Sequence, residues 1–169
     1  LATSKIFKLK KRPKNNPLIV HYYSLENLKK DCKINQNFIK LYKKFCPGPI
    51  TFILKLKSKN KISKNETNKK KTLAVRFPKH SLTRKLLKEL DFPLAAPSAN
   101  ISTKVSAVSK KDVEEEFGNK IKFILDGGSS KIGLESTIVN LDPKPAILRL
   151  GAIEVSKINK VLKNKAKYK

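Results

Sequence analysis

The stretch that most constrains the fold covers residues 10–21 and reads Lys-Lys-Arg-Pro-Lys-Asn-Asn-Pro-Leu-Ile-Val-His. Its two prolines fix their own backbone angles and bias Arg12 and Asn16, the residues before them, towards extended conformations. An ordinary helix is therefore excluded, and we predict a basic loop that leads into a strand at residues 18–22. Two readings stay open: a charged surface loop, or a loop that presents Arg12, Asn16 and His21 to an anion at a sheet edge.

Size and hydrophobicity indicate one domain without a membrane span. The chain has 169 residues, of which 39% are hydrophobic, and it contains no apolar run of about 18 residues. Its first residues lack the apolar stretch of a signal peptide. Cys32 and Cys46 have no metal-like spacing and are predicted to be reduced, packed thiols. We therefore expect a cytoplasmic protein with no membrane partner.

The formal net charge of +26 normally suggests a nucleic acid as partner. Nearly all of this charge comes from lysine, and a chain rich in lysine, asparagine and isoleucine also fits a compositional drift of the source genome. The charge alone therefore leaves RNA binding open. The arginines, Arg12, Arg76, Arg84 and Arg149, are more informative, because an arginine kept where lysine is the default cation indicates a need for the planar guanidinium fork. Arg84 falls on a predicted helix and is expected to be a surface charge.

Strand and helix patterns alternate along the chain. The predicted strands cover residues 18–22, 50–57, 72–76, 121–125, 136–141 and 146–150. The predicted helices cover residues 24–31 and 35–45, a stretch capped by Ser81, residues 109–117, and a last amphipathic stretch that includes Val155 and Leu162. Residues 57–71 are rich in Lys and Asn and are predicted to form a solvated, mobile loop, with RNA contact as the open alternative. Because some strands follow one another without a helix, the fold class is α/β on a mixed sheet.

Polar side chains cluster where the predicted strands end. They are Arg12, Asn16, His21, Arg76, Ser98, Asn100, Ser136 and Arg149. Arginines and hydroxyl groups that meet at one sheet edge would form an anion pocket suited to a triphosphate and a carboxylate. The sequence contains no Walker A motif, no GxGxxG, no HExxH and no Ser-His-Asp set. The predicted chemistry is therefore positioning and charge stabilisation without a covalent nucleophile, as in phosphoryl and nucleotidyl transfer.

Five ordered motifs carry a resemblance to a known family. They are the stretch at residues 10–21, Cys46-Pro-Gly-Pro-Ile-Thr51, Thr72-Leu-Ala-Val-Arg76, Ala96-Pro-Ser98-Ala-Asn100, and Glu135-Ser-Thr-Ile-Val139 followed by Ile147-Leu-Arg149. In order and spacing they resemble the YrdC-like family, over residues 4–153. The resemblance implies a twisted mixed β-sheet flanked by helices, with a concave basic ligand site. It also implies a domain at residues 1–153, followed by a helix and basic tail at residues 154–169.

The resemblance implies a nucleotidyltransferase. Members of the YrdC-like family join L-threonine, bicarbonate and ATP into threonylcarbamoyl-AMP and pyrophosphate. A separate transferase complex then moves the threonylcarbamoyl group to an adenosine beside the anticodon of certain tRNAs. The implied partners are therefore ATP, L-threonine, bicarbonate and that complex, with direct tRNA contact left open. Mg²⁺ is expected to arrive with ATP, because the chain shows no carboxylate cage that would hold it.

The resemblance also assigns roles to individual residues. The family's signature tetrad, which lines the nucleotide site and supplies positioning and charge, corresponds to Lys10, Arg12, Ser98 and Asn100. The implied ATP contacts are Arg12, Asn16, Thr72, Ser98, Ser106 and Arg149. The implied threonine contacts are His21, Arg76 and Ser136.

The chain departs from the family pattern in two places. Cys46 stands where the family usually has Trp, a packing change that we expect to be tolerated. The family's first strand and its Pro-Thr-Glu-Thr-Val-Tyr-Gly-Leu motif, which helps to bind threonine, normally precede the region where this sequence begins, and the sequence contains no methionine. We therefore expect an N-terminally truncated copy, for which activity of the chain by itself is an open question.

Two other functions remain possible at this point. The first is a basic module that binds RNA without catalysis, although Tyr22, Tyr23, Phe52 and Phe123 fall inside predicted apolar strands and would not form a stacking platform. The second is other carbamoyl-transfer chemistry, since relatives of this domain take part in hydrogenase maturation.

Overall fold

The computed structural model of the chain describes residues 2–63, 67–68, 70–130, 133–163 and 166–168. Its helices are α1 (Ala2–Leu9), α2 (Leu25–Asp31), α3 (Gln36–Phe45), α4 (Ser81–Glu89), α5 (Lys110–Phe117) and α6 (Val155–Leu162), and a 3-10 helix at Gly118–Lys120 follows α5. Its strands are β1 (Ile19–His21), β2 (Ile50–Lys55), β3 (Thr72–Arg76), β4 (Leu94–Ala95), β5 (Thr137–Asn140), β6 (Ala146–Arg149) and β7 (Lys167–Tyr168).

The strands form one mixed sheet in the order β4-β1-β3-β2-β5-β6-β7. The pairs β1/β3, β2/β5 and β6/β7 are parallel, whereas β1/β4, β2/β3 and β5/β6 are antiparallel. The predicted α/β class on a mixed sheet is therefore confirmed. The pairing also places the ends of neighbouring strands together: Arg76, the last residue of β3, lies opposite His21 on one side and Thr51 on the other.

Helix ends form where short polar side chains cap them. Ser24 accepts a hydrogen bond from the backbone N–H of Asn27 at the start of α2, and Asn35 accepts one from Phe38 at the start of α3. Ser109 and Asp112 form a reciprocal capping box at the start of α5. These three helix starts were predicted. In α4, by contrast, Ser81 is the first helical residue, and His80 occupies the cap position, where its side chain makes no capping hydrogen bond.

The core lies on one face of the sheet, beneath α2, α3 and α6. Side chains alternate between the two faces of a strand, so each strand contributes every second residue to this face. Buried core residues include Val20, Phe52, Val75, Val139 and Ile147 from the sheet and Leu28, Phe38, Leu41, Ile158 and Leu162 from the helices. The intervening residues His21, Thr51, Arg76 and Ser136 therefore point to the opposite face.

Some predicted elements differ from the structure. Residues 121–125 form no strand: the Phe123 side chain is 89% exposed, and no strand in the described part of the chain pairs with this segment. An apolar segment does not form a strand unless its backbone N–H and C=O groups find a partner strand. The predicted basic tail contains β7, which pairs with β6, and α1 precedes the first predicted element. The predicted loop at residues 57–71 lies partly outside the described residues, at positions 64–66 and 69.

Three smaller expectations concern exposure and membrane contact. Cys32 and Cys46 are free thiols, and burial raises the pKa of each to about 12, which makes them poor nucleophiles at neutral pH. Arg84 is not a fully solvated charge, because its guanidinium group lies 4.7 Å from the ring centre of Tyr23. Among the described residues, no helix has the length and apolar character needed to cross a membrane.

Candidate active site

His21 and Arg76 lie side by side at the ends of β1 and β3. Nε2 of His21 is 3.0 Å from the backbone oxygen of Ala96. Because a carbonyl oxygen can only accept, Nε2 carries the hydrogen and Nδ1 is a free acceptor. Nδ1 is buried and has no partner among the described residues. Burial, with a smaller contribution from the charge of Arg76, lowers the pKa of His21 to about 4, so the ring is neutral at pH 7.

Arg76 presents a partly buried positive charge. Its Nε donates to the backbone oxygen of Gly48 at 3.4 Å, and no carboxylate in the described part of the chain forms an ion pair with it. Burial lowers the pKa of Arg76, the nearby charge of Arg149 lowers it further, and the charge of Glu135 opposes both. A buried guanidinium group without a paired anion is suited to a carboxylate or phosphate ligand.

Ser136 joins two further side chains at the start of β5. Arg149 donates from Nε (3.0 Å) and Nη2 (2.8 Å) to the backbone oxygen of Ser136, and from Nη2 to its hydroxyl oxygen at 2.9 Å. The hydroxyl groups of Ser136 and Thr51 are 2.8 Å apart, and both are buried. The bidentate grip on one carbonyl fixes the guanidinium plane of Arg149, so Ser136 and Arg149 form one rigid unit.

Gly151 permits this unit to form. A Cβ atom at Gly151 would lie 2.4 Å from the backbone oxygen of Glu135 and 2.6 Å from the backbone of Ser136 and Thr137. The backbone N–H of Ala152 donates to the same Glu135 oxygen at 3.0 Å. The chain that leaves β6 therefore lies directly against the residues before β5, and only glycine leaves room for that approach.

Lys10 and Arg12 shape the loops on the other side of the site. The ammonium group of Lys10, a buried residue, donates to the backbone oxygens of Ser98 and Asn100, and its own carbonyl accepts from Ser102 at 2.9 Å. Lys10 thus ties the loop after β4 to the end of α1. Burial lowers the pKa of Lys10, and the charge of Arg12 adds to this effect.

Arg12 folds the proline-rich loop back on itself. It donates to the side-chain oxygen of Asn16 at 2.8 Å, to the backbone oxygen of Asn16 at 3.1 Å and to that of Pro17 at 3.0 Å. Burial lowers the pKa of Arg12, the charge of Glu135 opposes this, and the charge of Arg149 lowers it further. Arg12 therefore lies within electrostatic reach of the Ser136 and Arg149 unit.

Two polar atoms on the loop after β4 lack partners. The Asn100 side chain donates to the backbone oxygens of Ile101 and Lys104, which leaves its Oδ1 as an acceptor. Oδ1 of Asn100 and the hydroxyl oxygen of Ser102 are both buried and unpaired within the described residues. Buried polar atoms normally have partners, so these two atoms are suited to binding a ligand or water.

The structure brings most of the predicted site residues together and leaves two apart. Strand pairing, hydrogen bonds or charge link four of them, His21, Arg76, Ser136 and Arg149. The adjoining loops contain Arg12, Asn16, Lys10, Ser98 and Asn100. Thr72 starts β3, at the opposite end of that strand from Arg76, and pairs with Lys55. Ser106 lies in the irregular segment before α5. The roles of these residues in binding stay predictions.

Two residues of the site were not predicted. Thr51 is a polar residue between two apolar residues of β2, and Glu135 is the acid that begins a motif with two hydroxyl groups. Both lie inside quoted motifs, so the signal was present. What each side chain contacts could not be read from the sequence, because Thr51 and its partner Ser136 are 85 residues apart.

The arrangement as a whole is an electropositive surface with two kinds of polar group. Guanidinium groups and hydroxyls can bind a carboxylate or phosphates, while the neutral His21 ring offers an acceptor to an ammonium or hydroxyl group. No group of three or more His, Cys, Asp or Glu side chains lies together in the described part of the chain. The chemistry available is therefore binding, orientation and neutralisation of negative charge.

Comparisons with known proteins identify the family of the chain. The family model Sua5_yciO_yrdC, described as "Telomere recombination", matches residues 1–151. The chain is 41% identical over 163 residues to the threonylcarbamoyl-AMP synthase of Pyrococcus abyssi, covering 95% of this chain and 47% of that protein. It is 40% identical over 181 residues to the threonylcarbamoyl-AMP synthase of Schizosaccharomyces pombe, covering 93% and 44%. The chain thus spans about half the length of these relatives.

Solved structures confirm the expected fold. The structure of P. abyssi Sua5 complexed with L-threonine superposes with a TM-score of 0.92 at 40% identity, covering 98% of this chain and 49% of that chain. The structure of Escherichia coli YciO superposes with a TM-score of 0.82 at 21% identity, covering 93% and 76%, which supports the fold alone.

Proposed function

The chain belongs to the Sua5/YciO/YrdC family, and we propose on that premise that it is a nucleotidyltransferase. The proposed reaction joins L-threonine, bicarbonate and ATP into threonylcarbamoyl-AMP and pyrophosphate. The product would serve the threonylcarbamoyl modification of tRNA beside the anticodon, through a separate transferase complex in the cytoplasm. The two relatives described above carry the name of this activity.

The observation that carries the proposal is a guanidinium group beside a neutral histidine. Arg76 offers a partly buried positive charge that no carboxylate among the described residues pairs with, and Nδ1 of the neighbouring His21 offers a buried acceptor. An amino acid carries complementary groups on one carbon atom: a carboxylate suited to Arg76, and an ammonium group that can donate to His21. The Ser136 hydroxyl is a further contact for the carboxylate. This geometry supports L-threonine as the ligand of these three residues.

The nucleotide is proposed to bind beside threonine. Arg12, Asn16 and Arg149 border the same basic surface and are suited to phosphate oxygens. The free acceptors of Asn100 and Ser102 are suited to donors of the nucleoside. Lys10 would act mainly by holding Ser98 and Asn100 in place, since its ammonium group is already bound to their carbonyl oxygens. Thr72 and Ser106 are retained as proposed ATP contacts on the resemblance alone.

In the proposed mechanism no side chain is modified. Bicarbonate takes up the proton that the threonine ammonium group gives up and loses water to form carbon dioxide. The neutral amine then attacks the carbon of carbon dioxide, one C=O bond pair moves to oxygen, and the nitrogen releases a proton to solvent, which leaves a carbamate anion. A carbamate oxygen then attacks the α-phosphorus of ATP in line. The bond from the α-phosphorus to the bridging oxygen breaks, and pyrophosphate takes the electron pair. Arg12 and Arg149 would neutralise the charge that grows on pyrophosphate, which is catalysis by positioning and electrostatics.

Mg²⁺ is proposed to enter as part of the substrate MgATP. The described residues present no cluster of three acidic or imidazole side chains, so the donor set fits an ion that the phosphates hold. The bound ion would spread the charge of the β- and γ-phosphates. In this proposal the protein makes all the contacts to threonine, and the Mg²⁺ ion makes none.

The RNA-binding alternative needs a row of exposed aromatic faces on which bases can stack. Tyr22, Phe38 and Phe52 are fully buried in the core, and the Tyr23 ring lies under Arg84. Phe92, Phe123 and Tyr168 are exposed, but Phe92 precedes β4 and Tyr168 lies in β7, at opposite edges of the sheet, so these rings do not form one stacking surface. We therefore propose the synthase activity as the function of the site.

Titration of two arginine variants tests the assignment of Arg76. The Arg76→Ala variant should lose threonine affinity by more than tenfold and ATP affinity by much less, because the charged hydrogen bond to the carboxylate is lost. Arg84→Ala is the matched control, since it removes an arginine that contacts Tyr23 rather than the site. Calorimetric titration with threonine and with MgATP measures both affinities. Equal losses for the two ligands in Arg76→Ala would overturn the assignment.

A further inference from the structure

One carboxylate lies among the cations of the site. Glu135 forms an ion pair with Nη1 of Arg149. The other two nitrogens of that guanidinium group are bound to Ser136. Nη1 is therefore the nitrogen of Arg149 that is left for a ligand, and one of its two N–H groups already donates to Glu135. A phosphate oxygen that binds Arg149 at Nη1 either takes the place of the Glu135 carboxylate or binds directly beside it and is repelled by its charge.

The charge of Glu135 reaches beyond Arg149. It opposes the lowering of the pKa of Lys10, Arg12 and Arg76, so all three cations lie within its electrostatic reach. The Glu135 side chain is 48% exposed and that of Arg149 is 33% exposed. A ligand from solution can therefore reach this ion pair, and the carboxylate has space to move aside.

We propose that Glu135 is a specificity-determining residue that competes with phosphate groups for Arg149 and weakens the binding of free pyrophosphate more than that of MgATP. The inference rests on the proposed function, in which MgATP is the substrate and pyrophosphate the product. Coulomb repulsion between a carboxylate and a ligand scales with the ligand's charge. Free pyrophosphate carries more negative charge than MgATP, so Glu135 opposes the binding of free pyrophosphate more strongly than that of MgATP.

The Glu135→Gln variant isolates this charge, because glutamine keeps the shape of the side chain and loses the negative charge. Calorimetric titration with pyrophosphate alone and with MgATP should show pyrophosphate binding about tenfold tighter and MgATP binding about threefold tighter than in the wild type. Glu154→Gln is the matched control. It removes a carboxylate that pairs with Lys157 and is 68% exposed, and it should leave both affinities unchanged.

The outcomes separate the inference from the proposed function. If the wild type binds both ligands and the Glu135→Gln variant binds pyrophosphate no more tightly than the wild type does, the inference is overturned and the proposed function is not. A folded wild-type chain that binds neither ligand would overturn the proposed function and the inference with it. A purely structural role of Glu135 predicts weaker binding of every ligand, the opposite of the expected gain. If glutamine disturbs the fold, Glu135→Ala is the second variant. As in Glu135→Gln, both ligands should bind more tightly to it than to the wild type.

Discussion

Replacing His21 by glutamine should change how the stability of the protein depends on pH. Burial lowers the pKa of His21 from 6.5 to about 4 in the folded state. An unfolded chain binds a proton at this ring as the pH falls below 6.5, whereas the folded chain keeps the ring neutral down to about pH 4. The unfolded state therefore binds more protons in this window, and His21 lowers the free energy of unfolding as the pH falls.

The size of this effect follows from the shift itself. Each pH unit between the two pKa values corresponds to about 1.4 kcal/mol, so the full window corresponds to about 3 kcal/mol. That amount is a large part of the stability of a typical single domain. The His21→Gln variant cannot gain the proton, so it should not lose this stability. Between pH 7 and pH 4 the free energy of unfolding should therefore fall by about 3 kcal/mol less in the variant than in the wild type.

Urea unfolding at several pH values between 7 and 4 measures this difference. Circular dichroism follows the transition, and the free energy at each pH comes from linear extrapolation. His80→Gln is the matched control, because it removes the other histidine of the chain, and it should keep the wild-type loss of stability. Parallel curves for the wild type and His21→Gln would refute the argument that burial keeps the His21 ring neutral, and with it the free acceptor proposed for the threonine ammonium group.

Two further predictions concern the residues around Ser136. Thr51→Val removes a buried hydroxyl that contacts Ser136. It should lower the free energy of unfolding in urea by about 1 kcal/mol and weaken threonine binding several-fold. The control Thr137→Val removes a hydroxyl that bonds to Ile153 instead, and it should leave the threonine affinity unchanged. Gly151→Ala should destabilise the protein by about 1–3 kcal/mol and weaken binding as well, because its Cβ would collide with the backbone before β5. Wild-type stability in Gly151→Ala would contradict the close approach of these segments.

Local signals in the sequence were sufficient to predict several helices. The caps of α2, α3 and α5 depend on hydrogen bonds that span three residues, between Ser24 and Asn27, Asn35 and Phe38, and Ser109 and Asp112. Such contacts can be read from a short window of sequence. Strands are different, because each needs a partner elsewhere in the chain. Residues 121–125 are mostly apolar and were predicted to be a strand, yet they have no pairing strand in the part of the chain described.

The site residues were predictable by type, and their contacts were not. Motif order identified His21, Arg76, Ser136 and Arg149 as members of one site, and strand pairing and hydrogen bonds bring them together. The role of Lys10 as a tie to the loop after β4 depends on contacts 88 and 90 residues away. These contacts arise from tertiary packing, which spacing along the sequence does not encode.

The most direct test of the proposed function is the release of pyrophosphate from ATP. The assay measures pyrophosphate with and without threonine and with and without bicarbonate. We predict that release requires both co-substrates and that the Arg76→Ala variant releases less pyrophosphate at low threonine concentration. Release of pyrophosphate that does not depend on threonine or bicarbonate, or no release from the folded protein, would contradict the proposed synthase activity.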